Sequence, residues 1–318
     1  MNARAMTDFA TLDNPTSSLL EAVGVGVSIG NKTLLQPTSC AFKAGQVTAI
    51  LGPNGAGKST LMSVLTGQRL PDVGHVQLQG QNLKDCAPAE LAKLRAFVAQ
   101  ETQVAFDFTV REVVELGRYP HRRQPSTQEA HIPQLAMQST HVRHLEERSL
   151  NTLSGGEKAR THLARALAQV WEPTITPYAA PGRPKQVQPP RGAESYAPAS
   201  ESGGTAVRWL LLDEPTAALD LQHQHRMLQL ARSWAQSQGI GVVAVLHDLN
   251  LALRYSDCCL VLQRGQLVAS GVTAEVLTPQ CIANIWRVVA HPVRPAAASI
   301  AHTPGSSLQY VFEPENMH

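Results

Sequence analysis

A glycine-rich segment early in the chain has the residue types and the spacing that hold phosphate groups. It fits the pattern GxxxxGK[ST] and consists of Gly52, Pro53, Asn54, Gly55, Ala56, Gly57, Lys58, Ser59 and Thr60. Glycines let backbone N–H groups point at phosphate oxygens, and a helix that follows adds the positive end of its dipole. Lys58 supplies a mobile cation for the β- and γ-phosphates, and the Ser59 hydroxyl is placed to ligate Mg²⁺. The segment therefore predicts a phosphate site for a nucleotide.

Two adjacent carboxylates, Asp213 and Glu214, follow an apolar run at residues 209–212. We predict that Asp213 holds Mg²⁺, directly or through water, and that Glu214 orients and polarises an attacking water. A second apolar run, residues 240–246, ends at His247, which either contacts the γ-phosphate or caps a strand. The carboxylate pair alone is weak evidence. Together with the phosphate segment it predicts nucleotide hydrolysis.

A second glycine-rich element opens a predicted helix that runs to Val170, and it includes Ser154, Gly155, Gly156 and Glu157. Ser154 is a good N-cap residue, and the two glycines expose backbone N–H groups at a positive helix end. The pattern is typical of a plain helix cap or of a second anion site. Two phosphate-type sites separated by a mainly helical region would be explained by two nucleotides shared across a symmetric dimer.

Hydrophobic patterns indicate which elements position these residues. Continuous apolar runs, at residues 46–51, 209–212 and 240–246, are typical of central strands in a parallel sheet covered on both faces. Further strands are predicted at 19–29 and 74–83, a hairpin at 260–269, and helices at 59–66, over most of 88–149 and at 151–170. The chain is therefore predicted to have an α/β fold.

Composition excludes several classes of function. The chain has 318 residues, of which 43% are hydrophobic, and its net charge is +2. This apolar content excludes wholesale disorder, and the small net charge gives no global reason to bind nucleic acid or an anionic membrane surface. No apolar stretch approaches the roughly 20 residues that span a bilayer, and the first residues lack the pattern of a secretory signal. If the protein works at a membrane, another chain is expected to span it.

Cysteine and histidine usage argues against a disulfide framework and against a zinc site. The five cysteines form no CxxC pair and are odd in number, which favours reduced cytosolic thiols. The 12 histidines lack the spacing of metal ligands and are interpreted as surface residues. A different segment, residues 173–205, is rich in proline and lacks hydrophobic periodicity, so we interpret it as an exposed, disordered insertion.

The motifs, in this order and spacing, resemble the ATP-binding subunit of ABC transporters over residues 19–275. The matching segments are GPNGAGKST at 52–60, Gln100, LSGGE at 153–157, WLLLDEP at 209–215, AALD at 217–220 and His247. The resemblance implies a P-loop NTPase of the α/β class with an ABC-type nucleotide-binding domain. Such a domain has a mixed sheet core, an antiparallel β part and a helical subdomain, here at about residues 88–150. Residues 1–18 are then a flexible N-terminal extension, 173–205 an insertion and 276–318 a C-terminal tail.

The resemblance also implies an activity, partners and residue roles. ATP, with Mg²⁺, is hydrolysed to ADP and phosphate by two copies that pair head to tail, and LSGGE of each copy closes on the phosphate segment of the other. Gln100 senses Mg²⁺ and links to the membrane subunit, Asp220 crosses the dimer, and His247 contacts the γ-phosphate. Transmembrane permease subunits are the implied partners, and nucleic acid is not. The implied location is the cytoplasmic face of the cell inner membrane, as a peripheral subunit.

Longer segments resemble a narrower group within that family. FTVREVVELGR at 108–118, LHDLNLALRY at 246–255 and EVLTP at 275–279 are similar to importer subunits for iron chelates, cobalamin and haem. LARALAQVW at 163–171 and LDLQHQH at 219–225 look most like haem importers, which implies a periplasmic haem-binding protein as an indirect partner.

Other interpretations stay open at this point. A siderophore or cobalamin importer is the alternative within transport, and a non-catalytic nucleotide-gated regulator is disfavoured by the complete set of Asp213, Glu214 and His247. A soluble ABC ATPase acting on ribosomes or DNA is disfavoured because the chain has one phosphate segment, no heptads and no basic stripe. One departure from the family stands out. Its members often have an aromatic residue near the position of Ile29 that stacks on adenine, and this stretch has none.

Overall fold

A computed structural model describes residues 19–100, 107–171, 207–293 and 308–314. The predicted N-terminal extension (1–18) and proline-rich insertion (173–205) lie outside the described residues. The strands are β1 Leu19–Ile29, β2 Lys32–Lys43, β3 Val47–Leu51, β4 Val73–Leu78, β5 Gln81–Asn82, β6 Arg95–Val98, β7 Trp209–Asp213, β8 Gly241–Val245, β9 Cys258–Gln263, β10 Gln266–Val272, β11 Val288–Val293 and β12 Gln309–Pro314. The helices are α1 Lys58–Leu65, α2 Pro88–Leu94, α3 Val110–Glu115, α4 Ile132–Ser139, α5 Gly155–Gln169, α6 Leu221–Gln238, α7 Leu249–Tyr255, α8 Thr273–Val276 and α9 Pro279–Trp286.

Two sheets form the centre of the molecule. The larger sheet has the order β10-β9-β3-β8-β7-β6, and all its neighbours are parallel except the hairpin β9-β10. The smaller sheet, in the order β2-β1-β4-β5, is antiparallel throughout. This arrangement confirms the predicted α/β class with a mixed sheet core and a separate antiparallel part.

Alternate residues of the central strands face two hydrophobic layers, because successive side chains of a strand point to opposite faces. Ala49 and Leu51 of β3 pack into a cluster that includes residues of α3 to α7. Ile50 between them packs into a second cluster with residues of α1 and of the antiparallel sheet. All five residues of β3 and of β8 are buried, as expected for strands covered on both sides. The carboxyl ends of these strands are thereby fixed at one edge of the sheet.

The region predicted to be mostly helical contains a strand that sequence patterns did not indicate. Residues 95–98 form β6, which pairs in parallel with β7. Leu91, Leu94 and Val98 are spaced like one face of a helix, and this spacing masked the change from α2 to β6. Val98 is instead buried in the sheet, so this strand ends just before Gln100.

The segment predicted as a C-terminal tail, 276–318, includes α9 and the antiparallel pair β11-β12 among its described residues. Tyr310 of β12 exchanges backbone hydrogen bonds with the Asn250 side chain of α7, at 2.8 and 3.0 Å. Its hydroxyl donates to the Leu277 carbonyl at 2.9 Å. None of the helices in the described part of the chain has the length and the apolar content needed to cross a bilayer.

Candidate functional site

The glycine-rich segment forms the loop that connects β3 to α1. Gly57 caps the start of α1 in the left-handed region, at φ 101°, and a Cβ there would lie 2.9 Å from the Leu34 carbonyl oxygen. Gly52 also has a positive φ, 146°, and a Cβ there would overlap the Leu262 carbonyl oxygen. Glycine is therefore required at both ends of the loop, because the loop is pressed between β2 and β9.

Lys58, the first residue of α1, turns its side chain back into this loop. Its Nζ donates to the carbonyl oxygens of Gly52, at 2.9 Å, and Pro53, at 3.0 Å, and the residue is only 5% exposed. Burial lowers the pKa of Lys58, and the nearby carboxylates of Glu214 and Asp213 partly offset this effect. The ammonium group is thus held where phosphate oxygens can replace the two carbonyls.

Asp213 ends β7 beside the start of α1. The Ser59 hydroxyl hydrogen-bonds to its carboxylate, whereas the Oδ1 atom is buried without a hydrogen-bond partner. Burial, followed by the charge of Glu214, raises the pKa of Asp213. A buried carboxylate oxygen without a donor is costly unless a cation binds it. A hydroxyl and a carboxylate are the oxygen ligands that Mg²⁺ accepts beside substrate phosphates, so these residues fit that ion.

Three adjacent parallel strands bring Gln100, Glu214 and His247 together, since each residue follows the carboxyl end of one strand: β6, β7 and β8. Gln100 Nε2 donates to Glu214 Oε2 at 2.9 Å, and His247 Nε2 lies 2.6 Å from Glu214 Oε1. Glu214 has a left-handed φ of 50°, which is uncommon outside glycine and typical of functional positions. Both carboxylate oxygens of Glu214 are therefore positioned at the edge of the sheet where ligands bind in open α/β folds.

A cavity of about 600 Å³ adjoins the phosphate loop. Sequence motifs predicted one part of its wall, which consists of residues 54–60 and Glu214. The other part was missed, and it consists of Lys32, Thr33, Leu34, Arg264 and Gly265. The sequence did predict a hairpin turn at Arg264–Gly265. It did not reveal that the Gly265 backbone N–H binds the Ala56 carbonyl oxygen, at 3.0 Å, and so holds this turn against the loop.

The second glycine-rich element lies elsewhere in the chain. Ser154 caps α5, and its hydroxyl accepts from the Glu157 backbone N–H at 3.3 Å, while Glu157 Oε2 accepts from the Ser154 backbone N–H at 2.8 Å. A Cβ on Gly155 would lie 3.6 Å from the Ala218 Cβ, so the start of α5 packs against the turn that follows Glu214. None of residues 153–157 lines the cavity at the phosphate loop.

Asp220 ends that turn and caps α6. One of its carboxylate oxygens, Oδ1, accepts from the backbone N–H of His223 at 2.8 Å and lies 2.7 Å from His223 Nδ1. These hydrogen bonds lower the pKa of Asp220. In the single chain, the residue therefore acts as a helix cap beside α5.

Comparison with known proteins identifies the family. The family described as "ABC transporter" matches residues 35–173. The hemin import ATP-binding protein HmuV of Methylobacillus flagellatus is 40% identical over 265 residues, which is 83% of this chain and 87% of that protein. HmuV of Gloeobacter violaceus is 43% identical over 265 residues, covering 83% and 86%. This chain belongs to the ABC transporter ATP-binding family. As an ABC ATPase it binds ATP and hydrolyses it.

Solved structures agree with the fold of this ABC ATPase. An inward-facing ABC transporter of the metal-chelate type aligns with a TM-score of 0.67 at 23% identity, over 94% of this chain and 97% of that one. A dimeric ATP-binding cassette in a post-hydrolysis state, bound to ADP and phosphate, aligns with a TM-score of 0.62 at 24% identity, over 80% and 98%.

Proposed function

We propose that this chain is the ATP-hydrolysing subunit of a haem importer. The observation that carries the proposal is its 40 to 43% identity, over 83% of its length, to two hemin import ATP-binding proteins. The cargo itself would contact a permease and a periplasmic haem-binding protein, which select it. This chain would supply the free energy from the cytoplasmic face of the inner membrane.

In this proposal the ATPase unit is residues 19–275, with its helical subdomain at about 88–150, an N-terminal extension at 1–18 and a C-terminal tail at 276–318. The triphosphate lies on residues 52–60, where Lys58 exchanges its two carbonyl partners for oxygens of the β- and γ-phosphates. Ser59 and Asp213, with Gln100 nearby, would hold Mg²⁺. When bound, this ion would neutralise charge on the phosphates.

Glu214 acts on the attacking water. Its carboxylate accepts a proton as the water oxygen bonds to the γ-phosphorus, and the bond to the bridging oxygen breaks to leave ADP. Gln100 and His247 position Glu214 through the contacts at 2.9 and 2.6 Å. His247 is also placed to contact the γ-phosphate once nucleotide is present.

A second copy of the chain would complete each site. The element at residues 153–157 does not line the phosphate-loop cavity of its own chain, so a head-to-tail partner is proposed to bring it to the nucleotide. Asp220 follows the turn against which α5 packs, which would place it at the same contact. Closure of the two copies on ATP would then move the helical subdomains and the permease subunits docked to them.

The test is ATPase turnover of the complex reconstituted with its permease. Binding proteins loaded with haem, with cobalamin or with a siderophore are added in turn. Stimulation by the haem-loaded protein alone is the expected result, and stimulation by either of the others instead would overturn the cargo assignment.

Glu214→Gln should still bind ATP yet lower turnover by about 10² to 10⁴-fold, because an amide cannot accept the proton. Near-normal turnover in this variant would contradict the role of Glu214.

A further inference from the structure

The phosphate loop and the nearby carboxylates account for the triphosphate of ATP but not for its base. Among the described residues that line the cavity at the phosphate loop there is no aromatic side chain. Ile29 does not line the cavity either, and its side chain is 56% exposed. The triphosphate would use the donors of residues 52–60, so the base must lie against the remaining wall, which includes Lys32, Leu34 and Arg264.

Arg264 is the flat group in that wall. It is exposed, and within the described ranges its side chain makes no hydrogen bond or ion pair. Its backbone adopts a left-handed φ of 49°, which is uncommon for a bulky residue. The turn is fixed at the next residue, because Gly265 N–H binds the Ala56 carbonyl at 3.0 Å and the Gly265 carbonyl accepts from Gln36 N–H at 2.7 Å. The fold thus fixes the backbone of the turn beside the phosphate loop and places the exposed Arg264 side chain in the cavity wall.

We propose that Arg264 binds the adenine of ATP by stacking its planar guanidinium on the base, with Leu34 as an apolar contact. A guanidinium is delocalised and weakly hydrated, so it stacks on aromatic faces, which an ammonium group does less well. Stacking would replace the aromatic residue that this chain lacks near Ile29. The inference rests on the proposed placement of the triphosphate at residues 52–60.

The experiment measures dissociation constants by calorimetry for ATP and for inorganic tripolyphosphate, both with Mg²⁺. Arg264→Ala is expected to weaken ATP binding about tenfold and to leave tripolyphosphate binding unchanged. Arg264→Tyr removes the charge but restores a flat face, and it should bind ATP within about threefold of the parent chain.

Arg287→Ala is the matched control. Arg287 is also exposed and has a left-handed φ of 59°, but it lies at the end of α9 and does not line the cavity. Its replacement removes the same charge from the same kind of backbone and should change neither affinity.

Three results would overturn the proposal. Equal weakening of ATP and tripolyphosphate by Arg264→Ala would assign the guanidinium to a phosphate. Unchanged ATP affinity would show that it contacts no part of the nucleotide, and an Arg264→Tyr variant as weak as Arg264→Ala would show that charge, not a flat face, is required. Failure of the proposed triphosphate site would be seen separately. In that case Lys58→Ala would bind both ATP and tripolyphosphate with unchanged affinity.

Discussion

Two helices of this chain, α1 and α5, begin at glycine-rich segments, yet their first turns are built differently. Gly57 starts α1 from a left-handed conformation and offers no side chain to cap it. Ser154 starts α5 with a capping box, in which Ser154 and Glu157 satisfy each other's backbone N–H groups. The start of α1 therefore has no side-chain cap and can receive a ligand, whereas the start of α5 is capped by its own residues. We call the start of α1 the open end and the start of α5 the closed end.

Glycine has a different role at the start of each helix. At α1 the glycines are required by the fold, because a Cβ at Gly52 or Gly57 would meet a backbone carbonyl. At α5 a Cβ on Gly155 would make only an ordinary contact at 3.6 Å. Any need for glycine at position 155 must therefore come from something outside the single chain, and a nucleotide held by a second copy would supply it.

The largest expected effect is at the open helix end. Lys58→Ala removes the cation that faces the phosphates, so ATP affinity should fall about a hundredfold or more, and turnover should be lost. The carbonyls of Gly52 and Pro53 also lose their donor, so the free energy of unfolding should decrease by about 1–2 kcal/mol. Calorimetry with ATP and thermal unfolding measure the two effects. Normal ATP affinity in this variant would remove the basis for treating α1 as the nucleotide-binding end.

A smaller effect is expected at the start of α5, where a substitution should lower turnover without changing ATP binding to the isolated chain. Gly155→Asp places a carboxylate in the first turn of α5, where the helix dipole favours it, so stability should change by less than about 0.5 kcal/mol. ATP binding to the isolated chain should be unchanged. Turnover should fall about thirtyfold, because the carboxylate would repel a triphosphate brought by the second copy.

Gly57→Ala is the matched substitution at α1. It should destabilise the chain by about 1–2 kcal/mol, because alanine disfavours the left-handed conformation, and it should weaken ATP binding directly. If Gly155→Asp and Gly57→Ala lowered the ATP affinity of the isolated chain equally, both helix ends would contact the same nucleotide. That result would contradict the proposal that α5 contacts the ATP of a second copy.

Local sequence patterns were sufficient for the parts of the site that depend on strand and helix order. The phosphate segment, Asp213 and Glu214 all follow buried apolar runs, and the structure places them at the ends of parallel strands. His247 illustrates the limit of this reasoning. From the residues alone it was either a strand cap or a phosphate contact, and only the fold shows it 2.6 Å from Glu214.

The parts that patterns missed depend on tertiary packing. Arg264 lies in a hairpin turn whose sequence gives no sign that it will pack on the phosphate loop, some two hundred residues away in the chain. Strand β6 is short, and its buried Val98 continues the helix-like spacing of Leu91 and Leu94. Strand β2 was also missed, because Pro37 and the adjacent polar residues Thr38 and Ser39 interrupt the alternation of apolar and polar residues in its sequence.

The smallest expected effect tests whether the negative charge of Glu157 contributes to the capping box at the start of α5. Hydrogen bonds from Ser154 lower the pKa of Glu157, and those from Thr109 lower the pKa of Glu112 in the same capping box at α3. A folded-state pKa below the unfolded value of about 4.3 means that the carboxylate stabilises the fold above that pH. This stabilisation is lost as the pH falls through the lowered pKa.

Glu157→Gln and Glu112→Gln should therefore each lower Tm by about 1–2 °C at pH 7, and each should converge with the parent chain at acidic pH. Glutamine can still accept from the capping N–H, so ATPase turnover should be unchanged in Glu112→Gln, which lies outside the proposed nucleotide site. Differential scanning calorimetry across pH, with turnover measured at pH 7, makes the comparison. If only Glu157→Gln lost turnover, the Glu157 carboxylate would have a role in the nucleotide site beyond capping α5, and the two capping boxes would no longer be equivalent.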